Sequence, residues 1–143
     1  MLDLKLERDV AVGQEAVWAY VVDGFFANHR KWDPAIVELR QLSPGPIAEG
    51  TRGLEVRNFG GKQEAEFVVS ALRPMTHFAF TNTSGPFALE RSYDLTPNGF
   101  TFRFQMAGKG LMRILFPLLR GAIAKQVEAN IDRLCAQLRA EAR

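Results

Sequence analysis

Short segments of alternating apolar and polar residues, each closed by turn residues, constrain the fold of this sequence most. Six of them follow one another, at 35–42, 51–58, 62–72, 75–83, 86–95 and 100–107. An alternation with a period of two is typical of β-strands, and strands joined by short turns pair as antiparallel neighbours. The chain therefore predicts a meander of six antiparallel strands.

Helical patterns and one further strand surround this meander. Alternating leucines and charged residues predict a first strand at about 2–12, and apolar residues at helical spacing predict short helices within 13–24 and at 25–29. From residue 109 onward the apolar spacing is helical almost to the end of the chain. This pattern predicts one long helix, with Pro117 either kinking it or opening its main part.

The last helix is the only predicted element long enough to cover the apolar face of the sheet. Because strongly twisted sheets curl around such a helix, we expect an α+β fold in which a curved seven-stranded antiparallel sheet wraps around the C-terminal helix. A gap remains between the two layers unless large side chains fill it. The helical spacing predicts that six side chains are mostly buried, namely Leu115, Leu119, Ile123, Val127, Ile131 and Leu134.

Length and composition fit one folded domain over residues 1–143. Hydrophobic residues make up 47% of the chain and charged residues 24%, which is ordinary for a globular protein. The formal net charge of +2 is too small by itself to indicate a nucleic-acid partner. Eleven phenylalanines are more than a small core needs, and they suggest an apolar lining as well as an apolar filling.

Several features bear on location and partners. A single cysteine excludes an internal disulfide, and the start of the chain lacks the apolar region of a secretory signal, so we expect a cytoplasmic protein. The most apolar region, 110–124, is shorter than the ~20 residues of a membrane span, which argues against stable insertion. Seven cations against three acids in 109–143 predict a solvated face, with transient contact with an anionic partner or membrane surface as the alternative.

No motif for a metal or cofactor is present in the sequence. His29, His77 and Cys135 are the only soft metal ligands, and they are not paired at ligand spacing. A phosphate-binding loop, a complete dinucleotide loop and a zinc-protease motif are all missing from the sequence. We therefore expect neither a metal site nor a cofactor.

Arg91 stands out because its position in the strand pattern places it on an apolar face. In the segment 86–95, Phe87, Leu89 and Tyr93 share its parity. An isolated buried charge is costly, so Arg91 should meet a carboxylate, water or a polar ligand group. The alternatives are that it lies near the rim of the sheet, or that a bulge shifts the register.

Several stretches together resemble a known family. They are VGQEAVWAYVV at 12–22, KWDP at 31–34, SPGPIAEGT at 43–51, RPM at 73–75 and AGKG at 107–110. These stretches are similar to the polyketide cyclase/dehydrase-type branch of the START-related (SRPBCC, birch-pollen-allergen-like) superfamily, over nearly the whole chain. The resemblance implies a helix-grip fold with an apolar cavity between the sheet and the long helix. Members bind lipids, sterols, hormones, quinones or aromatic polyketides, and only some catalyse reactions.

The stretch NHRKWDP at 28–34 gathers residues typical of an active site. In the related family this stretch turns from the second short helix into the second strand, near the cavity mouth. We expect Trp32 to be a packing residue, with ligand contact as the alternative. Asp33 is predicted to accept hydrogen bonds in a turn rather than act as a catalytic acid, and His29 to be a surface residue at a helix end.

The leading hypothesis is a protein that binds or carries a small hydrophobic molecule. A metal-free cyclase or dehydratase is the alternative, in which Arg91 and Tyr93 orient or polarise substrate carbonyls. A third hypothesis is a protein-interaction module whose cavity is collapsed by phenylalanine. The candidate lining consists of Trp32, Leu54, Val56, Phe67, Phe78, Phe80, Phe87, Leu89, Arg91, Tyr93, Phe102, Phe104, Leu119 and Ile123.

Overall fold

Seven antiparallel strands form one curved sheet in the computed structural model, which describes residues 1–142. The strands are β1 (Leu2–Asp9), β2 (Ile36–Gln41), β3 (Arg52–Asn58), β4 (Lys62–Arg73), β5 (His77–Asn82), β6 (Phe87–Thr96) and β7 (Gly99–Gly108). Their order in the sheet is β1-β7-β6-β5-β4-β3-β2, so β2 to β7 follow one another as neighbours. The predicted six-stranded meander is confirmed, and β1 lies at the edge beside β7.

The helices lie where the helical patterns occur in the sequence. Between β1 and β2 are α1 (Gln14–Trp18), a π-helical turn (Ala19–Asp23) and α2 (Phe25–Trp32). The last helix, α3, spans Leu111–Glu141 and contains Pro117. No helix within residues 1–142 combines the length and the apolar character that crossing a bilayer requires.

Two boundaries differ from the predicted ones for local reasons. Strand β1 ends at Asp9 rather than near residue 12, because Ala11 has a positive φ of 54° and leaves the extended conformation. Helix α2 continues three residues beyond the predicted end, to Trp32. It stops there because Pro34 disfavours helical backbone at Asp33, whose φ and ψ are −123° and 84°.

Helix α3 covers the sheet with its C-terminal two thirds. Ile123, Val127, Ile131 and Leu134 are buried, as predicted. The prediction is wrong for Leu115, which is 38% exposed, and Leu119 is only half-buried. The cause is Phe116, which is buried and packs its ring 6.1 Å from that of Phe87. Since neighbouring helical residues point about 100° apart, burying Phe116 turns Leu115 outward.

Two register shifts accompany the curvature of the sheet. One lies between Ile36 and Glu38 in β2, and the other between Val69 and Ala71 in β4. An extra residue on one strand bends it and increases its local twist. The sheet thus has a concave face, and the first two helices and α3 pack on it. This is the predicted helix-grip arrangement.

Candidate functional site

A cavity of about 100 Å³ lies between the concave face of the sheet and α3. Side chains from β6, β7, α2 and α3 give it apolar walls. These walls are formed by Trp32, Phe87, Leu89, Phe102, Phe104, Met106, Ile123, Val127 and Ile131. The many phenylalanines of the sequence therefore do not fill the whole space between the two layers.

Eight of the fourteen predicted lining residues border this cavity. They are Trp32, Phe87, Leu89, Arg91, Tyr93, Phe102, Phe104 and Ile123. Six others lie outside the lining, namely Leu54, Val56, Phe67, Phe78, Phe80 and Leu119. The candidate residues of β6 therefore lie at this cavity, whereas those of β3 and β5 do not.

Phe67, Phe78 and Phe80 lie away from the cavity because α2 covers them. The ring of Phe25 on α2 lies 5.9, 5.6 and 5.1 Å from their rings, measured between centroids. All four side chains are essentially inaccessible to solvent. These phenylalanines fill the core under α2, whereas Phe87 of β6 and Phe102 and Phe104 of β7 border the cavity.

Strand β3 presents the opposite face to the cavity from the predicted one. Its register pairs Gly53 with Phe67, and directly paired residues of neighbouring strands lie on the same face of a sheet. Phe67 points into the core and covers Gly53, where a Cβ would come within 2.8 Å of the ring. The inward positions of β3 are therefore Gly53, Glu55 and Arg57, and Leu54 lies on the other face with Val56.

Glu55 and Arg57 belong to a buried charge cluster, which consists of Asp33, Glu55, Arg57 and Arg91. Arg57 donates to Asp33 through Nη2 (2.7 Å) and Nη1 (3.2 Å), and to Oε1 of Glu55 through Nε (2.9 Å). Arg91 donates through Nη1 to the other oxygen of Glu55, at 3.2 Å. Two carboxylates alternate with two guanidinium groups, so the formal charges cancel and each buried charge has a partner.

Arg91 lies on the apolar face of β6, as its parity predicts, and meets a carboxylate there. Its side chain is only 5% exposed, so the alternative of a rim position is wrong. The guanidinium carbon lies 4.2 Å from the centroid of the Phe80 ring, at cation–π distance, and Nη2 lies 3.5 Å from Oδ1 of Asn82. Arg91 is therefore held in place from several sides.

His29 and Asp33 have roles that differ from the predicted ones. His29 is 3% exposed rather than at the surface, with its ring 4.9 Å from that of Phe25 and 4.3 Å from that of Trp32. Asp33 uses its carboxylate for Arg57 rather than for a turn amide. The sequence held a signal for His29, because residues 25, 29 and 32 have the spacing of one helix face.

Four buried polar atoms of residues that border the cavity have no hydrogen-bond partner among residues 1–142. They are Nε of Arg91, the hydroxyl of Tyr93 and both ring nitrogens of His29. Nε2 of His29 lies 3.6 Å from Oδ2 of Asp33, which is too long for a hydrogen bond. Buried polar groups are nearly always paired, so this part of the lining is suited to a polar group of a ligand.

Burial and charge together set the protonation states of the cluster. Burial lowers the pKa of His29, although nearby Asp33 opposes this effect. Burial alone would raise the pKa of Glu55, but the positive charges of Arg91 and Arg57 outweigh it and lower the pKa. Burial would also raise the pKa of Asp33, but His29 and the positive charge of Arg57 outweigh it and lower that pKa, whereas burial raises the pKa of Tyr93. Near neutral pH the two carboxylates are therefore charged, and the imidazole and the phenol are neutral.

We expect acid to destabilise the fold in two stages. His29 has a lower pKa folded than unfolded, so the unfolded chain takes up its proton first as the pH falls below about 6.5. Asp33 and Glu55 have the same sign and act below about pH 4. Urea unfolding at pH values from 7.5 to 3.5, in ~0.5 pH steps, should show that the free energy of unfolding falls as the pH falls. Each titrating group can contribute at most ~1.4 kcal/mol per pH unit to this slope.

The variant His29→Leu isolates the first stage. It should flatten the profile between about pH 6.5 and 5 and leave the acid limb below about pH 4 in place. A parent profile that is flat above about pH 5, or a His29→Leu profile with the parent slope there, would contradict a buried neutral histidine.

Among residues 1–142, no group of three or more His, Cys, Asp or Glu side chains is arranged to hold a metal ion. The polar groups that border the cavity include proton donors, proton acceptors and fixed charges. Their chemistry is hydrogen bonding, polarisation of a carbonyl and proton transfer.

Comparison with solved structures shows the same fold at low sequence identity. A protein from Thermus thermophilus superposes with a TM-score of 0.73, 17% identity and 99% coverage of each chain. A START superfamily protein from Mycobacterium smegmatis gives 0.70 and 12%, with 95% of this chain and 96% of that one covered. The di-domain ARO/CYC protein StfQ from the steffimycin biosynthetic pathway gives 0.68 and 13%, with 99% of this chain covering 50% of that one.

The sequence itself identifies the family. No curated protein sequence matches this chain. The family described as polyketide cyclase / dehydrase and lipid transport matches it over residues 1–143. This match agrees with the seven-stranded sheet, the long C-terminal helix and the cavity between them. The chain therefore belongs to the polyketide cyclase / dehydrase and lipid transport family.

Proposed function

We propose that the protein binds and carries a small, largely apolar molecule that bears an oxygen acceptor at one end. One observation carries this proposal: apolar walls surround a cavity that Arg91 and Tyr93 border, and Nε of Arg91 and the hydroxyl of Tyr93 are buried without protein partners among residues 1–142. Ligand sites are typically apolar pockets with a few well-placed polar groups that set orientation. Membership of a family described by polyketide cyclisation and lipid transport supports the same function.

The ligand end that fits these groups is a hydrogen-bond acceptor. Arg91 Nε can only donate, and the neutral Tyr93 hydroxyl can donate or accept. A buried polar group without a partner costs ~1–3 kcal/mol, and a ligand oxygen would remove part of that cost. Glu55 holds the guanidinium of Arg91 from its far side, so the donor needs little reorganisation when the ligand binds.

Charge and size narrow the class of ligand further. The buried charge cluster is already neutral, so a carboxylate ligand would bring an unbalanced charge into the cavity. A ketone, quinone or phenol carries an oxygen without that cost. One water molecule needs ~10–15 Å³ of such a cavity, so the 100 Å³ cavity has room for on the order of ten water-sized groups of a ligand. We therefore favour a ligand of one or two rings over a sterol.

Calorimetric titration with three ligands of one shape tests this proposal. 2-Acetylnaphthalene should bind with a dissociation constant in the micromolar range. 2-Ethylnaphthalene, which lacks the oxygen, and 2-naphthoate, which is charged, should bind at least about fivefold more weakly, since a buried hydrogen bond is worth ~1 kcal/mol. Equal binding of the ketone and the hydrocarbon would contradict the polar end. Failure of all three to bind would contradict the cavity as a site for molecules of this size.

Tyr93→Phe should weaken the binding of 2-acetylnaphthalene about fivefold and change the binding of 2-ethylnaphthalene by less than about twofold. The reason is that the variant removes the hydroxyl and keeps the ring that packs against Phe102. The free energy of unfolding should not fall, because the hydroxyl has no partner to lose among residues 1–142. Titration of both ligands with both proteins checks this, and equal losses for the two ligands would mean that the hydroxyl is not the anchor.

His29 favours a second candidate function, a metal-free cyclase or dehydratase. Its neutral imidazole borders the cavity together with Arg91 and lies beside Asp33, which could stabilise a protonated imidazole. Arg91 would polarise a carbonyl, and His29 would accept a proton from the carbon next to it. Incubation of the protein with a short poly-β-carbonyl thioester, followed by NMR, tests this. A ring product that forms with the parent and not with His29→Gln would support the cyclase function. If no product forms with the parent, ligand binding remains as the proposed function.

A further inference from the structure

An apolar stripe runs along the N-terminal part of α3 and points away from the core. It consists of Leu111, Ile114, Leu115 and Leu118, which are 70%, 73%, 38% and 82% exposed. Their spacing of three, four and seven residues places them on one face of the helix. Apolar side chains of this size that are exposed together, rather than singly, mark an interaction surface.

The charge around this stripe has one sign. No aspartate or glutamate occurs between Asp94 and Glu128. Five cations lie in that interval, and one of them, Arg103, is paired with Asp3 at 2.9 Å. The other four are exposed and lie beside or within the N-terminal half of α3, namely Lys109, Arg113, Arg120 and Lys125. At about 100° per residue, Lys125 lies on the same side of α3 as the stripe, whereas Arg113 and Arg120 point toward the opposite side. The cations next to the stripe are therefore Lys109, just before the helix, and Lys125.

We propose that the apolar stripe, together with Lys109 and Lys125, forms a docking surface for an anionic lipid bilayer. Helices that carry large apolar side chains together with lysine and arginine lie in the interface of anionic membranes. There the apolar side chains enter the headgroup boundary, and each nearby cation contributes through the negative surface potential.

The same observations argue against a second copy of this chain as the occupant. The four side chains expose roughly a few hundred Å², less than the ~800 Å² per partner of a stable protein interface. A twofold interface would also bring the same basic surface of each copy face to face. A lipid surface complements both properties, the apolar stripe and the positive charge.

The docking surface and the cavity share one helix. Phe116 lies between Leu115 and Leu118 in sequence, and its ring packs against Phe87, which borders the cavity. Ile123, five residues beyond Leu118, borders the cavity as well. Docking through the stripe would thus hold the cavity next to a membrane. The docking proposal concerns a different surface from the proposed ligand site and does not depend on it.

Cosedimentation with vesicles tests the docking surface. The parent should bind phosphatidylcholine vesicles that contain roughly a third phosphatidylglycerol at least about tenfold more tightly than pure phosphatidylcholine, because each cation near the surface contributes ~1 kcal/mol. High salt should remove most of this preference. Ile114→Gln/Leu118→Gln should weaken binding to the anionic vesicles at least about tenfold. Lys109→Gln/Lys125→Gln should abolish most of the preference for them.

A control variant and three possible outcomes complete this test. Val37 and Met75 are each 40% exposed on other elements, so Val37→Gln/Met75→Gln should bind vesicles like the parent. Vesicle binding that is absent, or unchanged in the α3 variants, would overturn the proposal. A dimer seen by sedimentation velocity and lost in Ile114→Gln/Leu118→Gln would overturn it too, since the stripe would then be a subunit interface. Ketone binding should be equal in all these proteins, which separates this test from that of the cavity.

Discussion

Replacing Arg91 with leucine should lower the free energy of unfolding by about 3 kcal/mol. Breaking a buried ion pair typically costs ~3–5 kcal/mol, because the remaining charge loses its partner. The lower end applies here, since Glu55 keeps Arg57 at 2.9 Å after Arg91 is removed. Urea unfolding followed by circular dichroism measures the change. A variant that unfolds at the parent's urea concentration would contradict the buried pair.

A double-mutant cycle separates the lost pairing from the lost side chain. Glu55→Leu/Arg91→Leu leaves the pair of Asp33 and Arg57, so the formal charges of the cluster cancel again. The double variant should therefore be at least about 1 kcal/mol more stable than Arg91→Leu alone. Arg103→Leu is the matched control, because its partner Asp3 and Arg103 itself are both largely exposed, and its stability should stay close to that of the parent.

Leu134→Ala should destabilise the fold by about 2–5 kcal/mol. Leu134 is completely buried on the face of α3 that covers the sheet, so truncation leaves a cavity that the sheet and helix cannot fully close. Chemical unfolding of the purified variant gives the value directly.

Leu118→Ala on the same helix is the control for Leu134→Ala. Leu118 is exposed, so its truncation in the absence of membranes should change the free energy of unfolding by less than about 0.5 kcal/mol. Comparable losses in the two variants would mean that the N-terminal part of α3 is packed against protein, and would contradict both the described core and the docking surface.

The fold could be predicted because its signals are local. The alternation of strand residues, the turns between them and the long helical period of α3 can each be read within a few residues. Proline usually ends or kinks a helix, and Pro34 and Pro117 differ in this respect. Pro34 ends a helix as expected, whereas Pro117 lies within α3, which continues on both sides of it.

The charged part of the candidate site could not be predicted, because its partners lie far apart in sequence. In β3 the apolar Leu54 and Val56 favour one face for the cavity side, but the register with Phe67 turns Glu55 and Arg57 toward that side instead. That choice is stable only because Asp33 and Arg91, from α2's end and from β6, supply opposite charges. Pattern reasoning treats each strand separately and cannot see such compensation.

The parity of Arg91 was the one local clue to this cluster. A cation among Phe87, Leu89 and Tyr93 required a partner, and the structure supplies Glu55. The identity of that partner could not be read from the sequence, because no spacing rule connects residues 55 and 91. A charge on an apolar strand face is thus a useful pointer to a buried cluster, and the cluster itself needs the three-dimensional structure.

A crystal structure with 6-bromo-2-acetylnaphthalene tests the central claim most directly, since bromine reports the position of the ligand through its anomalous signal. We expect one bromine site between the sheet and α3, with the ketone oxygen within ~3.2 Å of Arg91 Nε or the Tyr93 hydroxyl. A ligand found only on the outer surface would contradict the account. So would a ligand inside the cavity with its oxygen turned away from both donors.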